Sequence, residues 1–178
     1  MNKHKTTLRK NQVLAYPTES CYGLGCNPWD ANALKKVIRL KKRPQHKGMI
    51  VVGAHFKQLQ ALLAPLPADT QAALQHAWQQ ADALTILLPA HPRVLPLLRG
   101  KHKTLAVRVS KHPIVQRLCQ QYGPLVSTSA NHSGHQSAKT STQALRLFGR
   151  YAKVIHGRVG KRKKPSTIMD WQTKRILR

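Results

Sequence analysis

A fan of cations set directly against an apolar run, Lys41-Lys-Arg-Pro-Gln-His-Lys-Gly-Met-Ile-Val-Val52, constrains this chain more than any other stretch. Proline fixes its own φ and disfavours helix in the residue before it, so Pro44 stops any helix arriving from the N-terminal side. Met49 to Val52 is short and apolar and reads as a core strand. Lys41, Arg43 and Lys47 are then crowded at one end of a sheet, where they could hold a phosphate chain. The same residues also fit a solvated charged turn, and the run alone does not choose between the two.

The balance of charge says what such an end would attract. The 178 residues hold 31 Lys plus Arg against 5 Asp plus Glu, a formal charge of +26. A field of that sign recruits polyanions, so nucleic acid, ribosome or nucleotide partners follow, with solubility as the bland account. Self-repulsion predicts that salt or a polyanion stabilises the fold. With 41% hydrophobic residues the chain has core material for a single domain over 1–178, headed by a basic segment, 1–11, in which order can be low. That segment lacks the apolar core of a signal peptide, and no apolar run is long enough to cross a bilayer, so no membrane association is expected. Cys21, Cys26 and Cys119 are odd in number and show neither Cys-x-x-Cys nor a Cys/His zinc spacing. A reducing, cytoplasmic setting is the expectation, with no metal held by protein side chains.

Taken in order, Gln12 to Tyr16 reads as a first strand ended by Pro17. Tyr16 to Cys26 is dense in hydroxyls and glycine, carries the chain's one glutamate, Glu19, and reads as a loop. It is either an ordinary turn, in which Gly23 and Gly25 supply positive φ, or a binding loop in which Thr18, Ser20 and Tyr22 offer hydrogen bonds. Asp30 caps a helix running to about Lys42, whose basic last turn suits the negative end of the helix dipole. Phe56 to Leu63 and Asp69 to Gln80 read as helices, Leu84 to Pro89 as a strand opened by Thr85, and Pro89 to Lys103 as a surface loop. Pro113 starts an amphipathic helix that ends near Gly123. Thr140 or Ser141 caps another through Phe148, and strands follow at Val154 to His156 and near Ile176. Strands and helices interleave without strict alternation, which predicts an α/β fold with a twisted, open, mixed sheet and flanking helices.

Two further stretches ask for an anion. Arg108 lies inside the apolar strand Thr104-Leu-Ala-Val-Arg-Val, and it either faces solvent or turns inward toward a carboxylate or phosphate. Acidic side chains are so scarce that an inward Arg108 is expected to meet a ligand. In Pro124-Leu-Val-Ser-Thr-Ser-Ala-Asn-His-Ser-Gly134 a strand runs into a turn of small hydroxyl residues and Asn131, the form in which backbone and hydroxyls approach phosphate or ribose. A Ser/Asn/Gly turn is more often only a turn. The basic tract Arg158 to Lys164 fits a solvated loop or an RNA-phosphate contact.

Together, Tyr16-Pro-Thr-Glu-Ser-Cys-Tyr-Gly-Leu-Gly, Lys41-Lys-Arg-Pro-Gln-His-Lys-Gly, Leu105-Ala-Val-Arg-Val, Ser127-Thr-Ser-Ala-Asn-His-Ser-Gly and Pro165-Ser-Thr-Ile resemble the YrdC/TsaC family of threonylcarbamoyl-AMP synthases, in the family's order and over Val13 to Asp170. The resemblance implies a YrdC-like open sheet with a basic concave face. It implies use of L-threonine, bicarbonate and ATP, with Mg2+ carried largely by ATP, to give threonylcarbamoyl-AMP and pyrophosphate. A complex of partner proteins would then move the threonylcarbamoyl group onto tRNA. Carried over by motif, Thr18, Arg108 and Ser166 hold threonine, while Lys41, Arg43, Lys47, Thr85, Ser127, Ser129 and Asn131 hold ATP; Lys41, Arg43 and Arg108 stand as the catalytic cations. Where relatives carry Trp-Pro-Gly-Pro ahead of the strand threonine, this chain has Trp78-Gln-Gln-Ala-Asp-Ala-Leu-Thr85, helical in character.

The chemistry agrees with that resemblance. Neither carbamate formation nor attack on phosphorus needs a protein nucleophile, so proximity and cations matched to developing charge suffice. The rival reading is a non-catalytic RNA- or ribosome-binding protein on the same fold. A P-loop kinase is a poor reading for lack of Gly-x-x-x-x-Gly-Lys-Ser/Thr, and a metal hydrolase a poorer one, with ten histidines but no ligand spacing.

Overall fold

The computed structural model describes residues 8–178. Of the basic N-terminal segment, residues 1–7 lie outside the described residues; Leu8 is buried and the Asn11 amide donates to Asp30 Oδ2 at 2.7 Å. Eight strands form one mixed sheet in the order β7-β1-β2-β6-β3-β5-β4-β8. They are β1 (Leu14–Pro17), β2 (Tyr22–Gly25), β3 (Ile50–Gly53), β4 (Leu84–Pro89), β5 (Thr104–Val109), β6 (Leu125–Ser129), β7 (Lys153–Val154) and β8 (Thr167–Asp170). The helices are α1 (Ala31–Lys41), α2 (Phe56–Leu59), α3 (Ala68–Gln80), α4 (Pro96–Arg99), α5 (Pro113–Tyr122) and α6 (Ser141–Phe148). β3 and β5 are parallel, as are β1 with β7 and β4 with β8, and the remaining neighbours are antiparallel.

Local chemistry accounts for most of these boundaries. Asp30 accepts a hydrogen bond from the Ala33 amide at 2.9 Å and starts α1. At the other end Lys42 is left-handed (φ 49°) and the Arg43 amide reaches back to Ile38, a Schellman stop that completes the helix before Pro44 is reached. Thr140 caps α6 through the Gln143 amide, and Pro113 occupies the first turn of α5, which ends at Gly123 with φ 84°. Trp78 to Gln80 do belong to a helix, the end of α3.

Four segments differ from the sequence expectation. Tyr22 to Gly25 is a strand paired with β1 and not part of a loop. Gly23 and Gly25 are accordingly not among the residues with positive φ. Glycine serves there by what it lacks, because a Cβ on Gly25 would collide with the Val126 carbonyl and lie 2.8 Å from the Tyr16 ring. The segment Pro89 to Lys103 contains the one-turn helix α4. The last strand is Thr167–Asp170; residues 175–178 fold back along it, with an isolated bridge between Met169 and Ile176, without forming a strand of their own. The Val154 strand is shifted to Lys153–Val154.

Alternation along the strands decides where a site can form. One face of the sheet carries Val51, Ile86, Leu105, Val107 and Val126 into the main core, against Leu34, Val37, Leu74, Trp78 and Phe148. On the opposite face Leu14, Tyr16, Val52 and Leu125 are covered by Val115, Leu118 and Cys119 of α5. That covering is partial. Further along the same face Ile50, Leu87, Ala106, Arg108, Ser127 and Ser129 are left to line an open cavity.

Candidate active site

The cavity has a volume of about 560 Å³ and an apolar floor of Ile50, Leu87, Ala106 and Ile168. Its walls are the β1–β2 turn (Thr18, Ser20, Cys21), the segment after α1 (Arg43, Lys47), the β6 hydroxyls (Ser127, Ser129) and the β8 entry (Ser166). Elements far apart in the chain thus converge there, with Arg108 rising from β5 beneath them.

Arg108 turns inward and is 6% exposed. The expectation that it would meet only a ligand is amended, since its Nη2 lies 3.3 Å from Oε2 of Glu19. Glu19 Oε1 also accepts a hydrogen bond of 2.6 Å from the Ser110 hydroxyl. Burial on its own raises the Glu19 carboxyl, but Arg108 and the Ser110 hydrogen bond outweigh it, and the net direction is downward. The carboxylate is therefore ionised and spoken for, and does not line the cavity. Among the described residues Arg108 Nε meets no hydrogen-bond partner, so one of its donors is left unsatisfied. Glu19 is itself fixed by the basic tract that follows β7. The Gly160 amide donates to Thr18 O at 2.9 Å and the Arg162 amide to Glu19 O at 3.1 Å, while Arg162 is spent on the carbonyls of Asp82 and Pro165.

The cations at and after the end of α1 divide into those that face the cavity and one that braces it. Arg43 Nη2 donates to the Gly48 carbonyl at 2.8 Å, which folds the Pro44–Lys47 turn back and keeps Arg43 and Lys47 on the wall. Lys41, 2% exposed, does not line the cavity. Its Nζ reaches the Ser129 carbonyl and Asn131 O and Oδ1, the last two at 3.0 Å, behind the β6 wall. Burial and the nearby Arg43 lower its pKa to about 8. Asn131 is likewise committed inside, donating from Nδ2 to His132 O and His135 O. Together they shape the loop that presents Ser129 and Ser137.

Thr85 is fully buried and also lies outside the lining; its Oγ1 donates to Ser166 Oγ at 3.0 Å. Ser166 does line the cavity, and it carries a residue that reading the sequence missed. Arg178 donates from Nε to Ser166 O at 3.2 Å and from Nη2 to Ser166 Oγ at 3.1 Å. It arrives because Arg175–Arg178 run back along β8, with the Leu177 amide on Ile168 O and the Ile168 amide on Arg178 O. The turn between them is held by Asp170 Oδ1, which accepts from the Gln172 and Thr173 amides. That Asp-x-x-x-Lys turn next to a strand was the available signal. Arg99, His102, Ser137 and Lys139 also line the cavity and were not singled out, and Lys163 joins them from the basic tract 158–164. Burial and mutual repulsion lower the pKa of Arg43, which faces Arg178, and of Arg178, which faces Arg108. An anion entering between these guanidinium groups relieves that repulsion.

A family model named Sua5/YciO/YrdC, described as telomere recombination, matches residues 6–178. The chain belongs to this family. A relative from Laribacter hongkongensis named threonylcarbamoyl-AMP synthase is 52% identical over 171 residues, covering 96% of this chain and 91% of the relative. Among solved structures, Pyrococcus abyssi Sua5 complexed with L-threonine superposes with a TM-score of 0.82 at 30% identity, covering 91% of this chain and 48% of that one. The chain thus spans about half of the Sua5 protein. Escherichia coli YciO superposes at 0.77 with 25% identity, over 94% of this chain and 82% of YciO. The mixed eight-stranded sheet with flanking helices is the architecture these Sua5/YciO/YrdC neighbours share. Among the described residues no helix is long and apolar enough to cross a membrane.

Proposed function

We propose that this protein is a threonylcarbamoyl-AMP synthase, a nucleotidyltransferase that joins L-threonine, bicarbonate and ATP and releases pyrophosphate. The observation that carries the reading is the convergence of Arg43, Arg108 and Arg178 with the hydroxyls of Thr18, Ser127, Ser129 and Ser166 on one apolar-floored cavity. Support comes from relatives named for this activity and from a Sua5 structure holding L-threonine.

In this reading Thr18, Arg108 and Ser166 take threonine, with Arg108 on its carboxylate. Arg43, Lys47, Arg178, Ser127 and Ser129 take the phosphates, and Lys41 and Asn131 serve them by holding the Ser129 loop from beneath. The threonine amine adds to CO2 drawn from bicarbonate and loses a proton, giving a carbamate. A carbamate oxygen then attacks the α-phosphorus, and the α–β bridging oxygen leaves with pyrophosphate. Two anions must meet in this step, and the surrounding cations lower its barrier by fixed charge and by proximity. Mg2+ enters with the nucleotide, since Glu19 is engaged by Arg108 and Ser110 and, among the described residues, no acidic side chain lines the cavity. The product passes to a partner complex that modifies tRNA beside the anticodon, in the cytoplasm.

A second reading, an RNA-binding protein without turnover, is favoured by the exposed cations Arg158, Lys161, Lys163 and Lys164 beside the cavity mouth. One experiment separates the two. Pyrophosphate release is measured with threonine and bicarbonate each added and omitted, and the nucleotide product is identified by mass. Release that needs both, with a threonylcarbamoyl adenylate formed and lost in Arg43→Ala, is expected. Absence of turnover together with tight, salt-sensitive tRNA binding that largely survives Arg43→Ala overturns the synthase in favour of the RNA-binding reading.

A further inference from the structure

We propose that Thr85 is a positioning residue that makes Ser166 a pure hydrogen-bond donor toward the cavity, and so sets which end of the amino acid Ser166 accepts. The argument rests on the functional reading above and deepens it. A serine hydroxyl has one proton and two lone pairs. Arg178 can only donate, so its Nη2 takes one lone pair of Ser166 Oγ at 3.1 Å. Thr85 Oγ1, 3.0 Å away on the other side, is fully buried, and Ser166 Oγ is the acceptor it reaches among the described residues. If Ser166 gave its proton to Thr85, the proton of Thr85 would be stranded in the core, at the cost of an unmade buried hydrogen bond. Thr85 therefore donates, and the second lone pair of Ser166 is filled.

What remains of Ser166 is one proton, and Ser166 lines the cavity. It can meet a carboxylate, hydroxyl or phosphate oxygen and must refuse an ammonium group. For an α-amino acid that leaves the amine turned away from Ser166 and free to become a carbamate. Thr85 contributes without touching the ligand, which agrees with its place on the cavity face of β4, one residue pair from Leu87 but beneath the lining.

The test compares Thr85→Val, which keeps shape and removes the donor, with Thr85→Ser, which keeps the donor, in steady-state turnover and in melting temperature. Thr85→Val is expected to raise the KM for threonine by roughly three- to ten-fold, the effect of one lost hydrogen bond, with a smaller change in kcat. Thr85→Ser restores KM to within about two-fold, the margin left by a hydrogen bond that is kept. In a Ser166→Ala background Thr85→Val adds nothing further to KM, because the group it orients is gone. A wild-type KM in Thr85→Val, or effects of the two substitutions that simply multiply, overturns the proposal. If the parent protein shows no threonine-dependent turnover, the synthase reading has failed separately. The positioning claim is then read from crystal structures: Thr85→Val is expected to release Ser166 Oγ from its present rotamer and Thr85→Ser to keep it, and an unchanged Ser166 rotamer in Thr85→Val overturns it.

Discussion

Glu19→Gln isolates what the buried ion pair is worth. Glutamine keeps an oxygen for the Ser110 hydroxyl and removes the negative charge that faces Arg108 at 3.3 Å. Both side chains are largely buried, 7% and 13% exposed, so Arg108 is left as a buried charge with no counter-ion from the chain. Truncating one partner of such a pair costs about 3–5 kcal/mol, and the retained amide oxygen reduces this to roughly 1–3 kcal/mol. For a chain of this size each kcal/mol moves the midpoint by about 2–4 °C, so a fall of roughly 2–12 °C at pH 7 is expected in a calorimetric or fluorescence melt. The difference also has a pH signature. The folded pKa of Glu19 lies below its unfolded value, so its contribution is full above the unfolded carboxylate range and is lost as pH falls through the folded pKa. The gap between parent and variant should therefore close below about pH 4. Asp30 is lowered too, and it shapes the acid limb of both proteins equally. With only five acidic residues in the chain the comparison is unusually clean. Threonine or a simple anion should stabilise the variant more than the parent by supplying the missing charge. Equal midpoints at pH 7 with superimposable acid limbs would refute the assignment of a stabilising pair.

Arg108→Ala should raise the threonine requirement far more than the ATP requirement in steady-state kinetics, and equal effects on both would remove it from the threonine end. Burial pushes the thiols of Cys26 and Cys119 up to about 12, whereas Cys21 is half-buried on the cavity wall. Iodoacetamide on the native protein should thus label Cys21 alone by mass spectrometry, with ATP and threonine slowing it; labelling of all three at one rate would contradict the packing. Gly25→Ala forces a Cβ into the Val126 carbonyl across the β2–β6 pairing and should cost at least ~3 kcal/mol in chemical denaturation, or prevent folding. Because the chain carries a formal +26, its midpoint should rise with added salt and further with polyphosphate at equal ionic strength; a midpoint indifferent to both would mean the charges do not oppose folding.

Short-range signals were legible because their physics is short-range. The Asp30 cap, the stop before Pro44, the Pro113 start, the Gly123 end and the Leu84–Pro89 strand each depend on a residue and its neighbours within a turn. The candidate list came from the resemblance carried by five ordered motifs, and its Thr18, Arg43, Lys47, Arg108, Ser127, Ser129 and Ser166 line one cavity. Sequence order could not tell which cations and hydroxyls would look outward. Lys41, Thr85 and Asn131 carry the same chemistry as their neighbours, yet the fold buries them behind the lining. Tertiary structure also decided that Glu19 meets Arg108, that β2 crosses so close to Val126 that Gly25 can carry no side chain, and that a C-terminal turn returns Arg178 to Ser166. The first two are contacts between segments distant in the chain. They exist only once β5 has paired between β3 and β4, and β6 between β2 and β3, and no local pattern records that pairing.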